Sequence, residues 1–223
     1  MYMEREVIVL AKSKKYGGYC VAGIDAYTGN WIRLVSTDRN SHGAVPKHYM
    51  RDQRGNAIGV LDKIKVRLKQ YVPDGHQIEN YIYDESFHFI KQGTVELNSI
   101  VAMIQQKLES YIFYNDKRLI SEEDAKQISY DRWHSLEWIQ VKKLRIYTKY
   151  NSYRDNISYR GEIDYKGHHY SDLSITDEAF VERCKIEQTE ILYNPFLVMS
   201  LGVAFEKDNC HYKLIATVLE NKK

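Results

Sequence analysis

The sequence predicts a mainly β protein with some helix, arranged as two small barrels or sheets. Three observations predict it. Tyrosine, a strand former with an amphipathic ring, occurs 19 times in 223 residues, against only 3 prolines. Short β-branched or alternating runs recur, separated by turns rich in Gly, Asn and Asp. Helical signals are confined to the middle of the chain and one late stretch, so strands come first, then helices, then strands again.

The elements follow in order. EVIVLA (6–11) is a β-branched run that reads as a buried strand, and YCVAGID (19–25) follows it after the Gly17-Gly18 turn. TGN (28–30) is a tight turn before WIRLVS (31–36), which completes a three-strand meander. Residues 37–58 are polar and read as a long loop of the kind that often carries function. GVLDKIKVRLKQYV (59–72) alternates, with Val60, Ile64, Val66 and Leu68 set against Lys63, Lys65, Arg67 and Lys69. QIENYIYD (77–84) contains a short strand, and the Ile100, Met103, Ile104, Leu108, Ile112 spacing predicts a helix over 97–112. Ser121 followed by Glu122, Glu123 and Asp124 is a helix start. LEWIQVKKLRIYTKY (136–150) is one or two strands, 156–177 is a hairpin turning at Lys166-Gly167, and Asp177 caps a helix to 187. PFLVMSLGVAF and YKLIATVL form a closing hairpin. The polar middle sets the domains at 1–113 and 114–223.

Lys and Arg number 32 against 30 Asp and Glu, a net charge of +2. Any nucleic-acid role therefore needs charge segregated on one face. Cys20, Cys184 and Cys210 are an odd set with no CxxC, which argues against a disulfide framework or structural zinc and fits a reducing compartment. No apolar run approaches the length of a membrane helix and the N-terminus lacks a basic signal region, so the expectation is a cytoplasmic protein with no membrane association.

Lys12, Lys14 and Lys15 beside the Gly17-Gly18 turn suit an anion, with Arg33 as a bidentate contact. Alternation puts Trp31 and Arg33 on one face and Ile32 and Leu34 on the core face, so Trp31 could stack a base. The plain structural alternative is a core Trp31 and an internally paired Arg33. The Lys63, Lys65, Arg67, Lys69 ladder is a second basic surface, and its plain alternative is an edge strand protected by charge. His168 and His169 point to opposite faces of a strand, so no metal site and no cofactor is expected. Glu162, Asp164, Asp172 and Asp177 bring acids into one hairpin, the raw material of a metal-dependent nuclease. Cys20 reads as a buried thiol. No Walker loop, GxSxG or GxGxxG occurs, and the chain reads as a non-enzyme.

VIVLAKSKKYGGYCVAGIDAYTGNWIRLVS resembles the opening of the dual OB-containing domain family of prokaryotes, with its aliphatic strand, basic turn, C-[IV]-AG and G-x-WIR-P-[VI]-S. QIENYIYD is similar to that family's QPENWLID, HHYSDLSITDEAF to its Y-x-L-x-VTDP, and LVMSLGVAFEKDNCHYKLIATVL to its SLGEPF…CYKLIAGII terminus. Leu34 and Glu178 stand where the family has Pro. The resemblance implies two OB-like small β-barrels and a nucleic-acid or nucleotide sensing role in conflict systems such as anti-phage defence. The site expected on this reading is Lys12, Lys14, Lys15, Trp31, Arg33, Lys63, Lys65, Arg67 and Lys69. Two other readings stand beside it: a subunit that docks on a protein partner in a defence or regulatory complex through its tyrosines, and the nuclease.

Overall fold

The computed structural model describes residues 2–15, 17–104, 109–151 and 155–220. The chain divides into two compact units, Met1–Gln105 and Gln106–Lys223. The sequence sets the division at 113/114, whereas Ile112 and Phe113 pack in the second unit's core.

The first unit runs β1 (Met3–Lys15), β2 (Gly18–Asp25), β3 (Trp31–Val35), β4 (Asp62–Tyr71), β5 (Asn80–Tyr83), β6 (Ile90–Thr94) and α1 (Leu97–Val101). The order β1-β2-β3-β5-β4 returns to β1 through a β1–β4 pairing, giving a closed five-strand barrel with β6 appended to β4. Closure removes the free edges that an open sheet would expose. The β3–β5 pair is parallel and the rest are antiparallel. The core takes Val7, Val9, Val21, Ile32, Leu34 and Ile64 from alternate strand positions. A bulge between Val9 and Ala11 bends β1, which pairs with β4 over its first half and with β2 along most of its length. Gly23 sits where β1 and β2 cross so closely that a Cβ would lie 2.0 Å from the Ile8 carbonyl oxygen.

The polar stretch 37–58 is not a free loop. Its Val45, Tyr49, Met50 and Ile58 enter the barrel core, and Tyr19 and Val45 exchange backbone hydrogen bonds of 2.8 Å. The predicted 97–112 helix stops at Val101, where Met103 N–H turns back to the Ile100 carbonyl at 2.8 Å. Leu97 and Ile100 are buried in the first unit while Ile112 belongs to the second core, so these apolar positions serve two units rather than one helix face. Residues 105–108 of that stretch lie outside the described residues.

The second unit runs β7 (Leu119–Ser121), α2 (Glu122–Lys126), β8 (Leu136–Gln140), β9 (Lys143–Asn151), β10 (Asn156–Tyr165), β11 (His168–Ile175), α3 (Glu178–Glu187), β12 (Ile191–Tyr193), β13 (Phe196–Leu201) and β14 (Cys210–Leu219). Its strands form one sheet, β12-β9-β10-β11-β14-β13-β8, with β7 also on β14. This sheet curls into a half-barrel and stays open, with β12 and β8 as its ends. Both predicted caps form. Ser121 Oγ accepts from Asp124 N–H at 3.0 Å, and Asp177 accepts from Phe180 N–H at 3.0 Å and Val218 N–H at 3.1 Å. The hairpin turn at Lys166 (φ 47°) and Gly167 (φ 89°) lies where the sequence puts it. The protein is thus mainly β, with three short helices among the described residues, none of them long and apolar enough to cross a membrane.

Candidate phosphate-binding site

The lysines before the Gly17-Gly18 turn lie on a paired strand. Ser13, Lys14 and Lys15 continue β1 opposite Cys20, Tyr19 and Gly18. Lys12 donates to the Ile58 carbonyl at 2.9 Å and lies 4.7 Å over the Tyr19 ring. Lys14 is exposed and Lys15 and Trp31 are half-buried. Arg33 is only 6% exposed and donates through Nη1 to Cys20 Sγ at 3.3 Å, so its guanidinium faces the interior rather than water. Ile32 and Leu34 do occupy the core face.

The β4 ladder is paired away. Glu4 and Glu6 of β1 lie opposite Arg67 and Lys65. Lys65 reaches Glu4 at 2.5 Å, Arg67 reaches Glu4 at 3.2 Å and Asp84 at 3.4 Å, and Lys63 reaches Glu6 at 3.1 Å. Hydrogen bonds from Lys65 and Arg67 hold the Glu4 carboxyl below its ordinary pKa. Lys69 is exposed at the end of the strand. The two basic segments do not converge: Lys63 lies opposite Ile8, and Lys14 is six residues further along β1, roughly 20 Å at strand rise.

A different cluster forms in the second unit. Arg118 Nη1 meets Asp172 Oδ2 at 2.7 Å, Lys149 Nζ meets the same oxygen at 2.9 Å, and Arg160 Nε lies 3.6 Å from Oδ1. β9, β10 and β11 bring the last three together: Ser158 opposes Lys149, Arg160 opposes Tyr147, and Ser174 opposes Arg160. Arg160 Nε donates to Ser158 Oγ at 3.2 Å, and its Nη1 donates to Ser174 Oγ. Arg118 stacks 5.2 Å from the Tyr212 ring. Burial works against the charged Asp172, but the Lys149 hydrogen bond and the charges of Arg160 and Arg118 outweigh it and hold its pKa below the ordinary value. Asp172 also adopts φ 58°, a conformation that costs free energy and is tolerated best by Asp, Asn and Gly. Three cations share one carboxylate, so the cluster carries a surplus of positive charge, and Arg118 and Lys149 are 39% and 53% exposed.

Sequence reading places Asp172 among nuclease acids, and the structure gives it another job. Asp164 pairs with His169 at 2.8 Å, Glu162 faces Arg145 at 3.9 Å, and Asp177 is spent on the α3 cap. Among the described residues no group of three or more His, Cys, Asp or Glu side chains could hold a metal ion. Arg118, Lys149 and Arg160 were missed because they come from separate segments. The available signal was the period-two run Lys143, Arg145, Tyr147, Lys149 inside KKLRIYTKY.

A closed barrel followed by a half-barrel, each built from a strand meander with short helices, defines a protein of paired OB-type modules. The family model of the dual OB-containing domain matches residues 5–218, nearly the whole chain, and the chain belongs to that family. Among curated proteins none matches.

Proposed function

We propose that the protein is a non-catalytic binding module for a phosphate-bearing ligand, a nucleotide or nucleic acid, held at Arg118, Lys149 and Arg160. One observation carries this reading: three cationic side chains converge on the single carboxylate of Asp172 on an accessible sheet face. An anion offered to that cluster meets charge that Asp172 has not neutralised, and two arginine forks match phosphate oxygens bidentately. The β4 ladder lacks this surplus because Glu4 and Glu6 answer it. The sensing role in anti-phage defence implied by the family resemblance is a context in which such a module would act.

The test is fluorescence anisotropy with a labelled oligonucleotide and with a nucleotide competitor. Lys149→Glu and Arg118→Ala should each weaken binding about tenfold or more, the scale of a lost charge-assisted hydrogen bond, with an unchanged circular dichroism spectrum. Asp172→Asn should preserve or tighten binding, because it removes a competing anion. Full binding by both cation variants would sink the reading, and loss of all binding in Asp172→Asn with the fold intact would favour an acid-dependent site.

A further inference from the structure

We infer that the ligand is a single-stranded nucleic acid, tracked along the outer face of β9. This rests on the phosphate reading above and extends it from a point to a path. Leu144 and Ile146 of β9 point into the core, so Lys143, Arg145, Tyr147 and Lys149 share the opposite face. Lys143 has no ion pair among the described residues, and Arg145 has only Glu162 at 3.9 Å with its own side chain 62% exposed. Lys149 joins this row to the Asp172 cluster. The cations therefore form a row along β9 that begins in the phosphate cluster at Lys149 and ends at Lys143, beside the edge strand β12.

Aromatic rings interleave with that charge. Tyr147 sits between Arg145 and Lys149 and opposite Arg160. On β12, Tyr193 lies opposite Lys143 and is 72% exposed, and Ile191 lies opposite Arg145. Positive side chains alternating with aromatic faces are what an unpaired strand recognises, since its phosphates meet the cations while its bases stack on the rings. A duplex hides its base faces and could use only the charge. Successive outward positions on β9 are roughly 6.6 Å apart, and Lys143 to Lys149 spans roughly 20 Å. That pitch is comparable with the phosphate step of an extended single strand, whereas a mononucleotide covers one station of the row. Glu162 is the opposing charge on this path.

The experiment compares thymidine monophosphate, an oligothymidylate of about six nucleotides (within the usual footprint of one OB module) and the same length of duplex, each titrated into the full chain. The oligothymidylate should bind at least about tenfold tighter than the monophosphate and tighter than the duplex. With about three phosphates neutralised, log affinity should fall with log salt at a slope of about −2. The double variant Lys143→Ala/Arg145→Ala should weaken the oligomer about tenfold and leave the monophosphate unchanged. Tyr193→Ala, at an exposed position, should weaken the oligomer alone, and Glu162→Gln should tighten it. Equal affinity for oligomer and monophosphate, preference for duplex, or an oligomer indifferent to the double variant would overturn the path while leaving the phosphate site standing. Failure of all three ligands to respond to Lys149→Glu would overturn the phosphate site itself.

Discussion

Glu4 of β1 lies directly opposite Arg67 of β4, and its carboxylate takes both Arg67 and the neighbouring Lys65. The basic ladder that draws the eye in the sequence is thus matched, strand against strand, by acids of the first strand, Glu4 standing 63 residues before Arg67.

Removing that match should unmask the ladder. Glu4→Gln/Glu6→Gln is expected to leave stability nearly unchanged, because ion pairs between exposed side chains contribute little. It should add weak, strongly salt-dependent oligonucleotide binding in the first unit. Anisotropy at two salt concentrations checks it, and unchanged binding at low salt would show that the ladder cannot serve as a polyanion surface even when freed.

Arg33→Ala should act on the fold and not on the ligand. Loss of a buried hydrogen-bonding guanidinium is expected to cost about 1–3 kcal/mol, read as a lower denaturant midpoint. Oligonucleotide affinity per folded molecule should stay the same. Weakened affinity with an unmoved midpoint would return Arg33 to the binding surface.

Acid should erode the Asp172 cluster. A carboxylate whose folded pKa is depressed contributes stability that is complete above its unfolded value, about 3.9, and is lost as pH falls through the lower folded value. Wild type should therefore exceed Asp172→Asn in stability at pH 7, and the gap should narrow only below about pH 4. A gap already closing near neutral pH would mean the pKa is not lowered.

Much of the fold was legible because the physics is local. The Ser121 and Asp177 caps, the Lys166-Gly167 turn and the alternation around Ile32 and Leu34 each depend on a few adjacent residues, and each forms as read. The failures are non-local. The 37–58 stretch looks like loop because Val45, Tyr49, Met50 and Ile58 are scattered among polar residues, and only the closed barrel reveals the core they enter. The 97–112 periodicity is real in spacing but divided between two units. The candidate site suffered most. Charge counts cannot tell Lys65, which Glu4 answers, from Lys143, which has no ion pair among the described residues. Arg118 and Asp172 meet across more than fifty positions of chain.

The bulge in β1 decides where its lysines point. Before it, odd-numbered Val7 and Val9 face the barrel core; after it, even-numbered Lys12 and Lys14 lie opposite Val21 and Tyr19 on the same side. A single extra residue has exchanged the parity of everything that follows. Deleting Leu10 would restore plain alternation and straighten the bend that lets one long strand serve both β4 and β2. The geometry of closure and the address of the N-terminal lysines are therefore one inherited trait: neither can be altered by sliding this strand without altering the other.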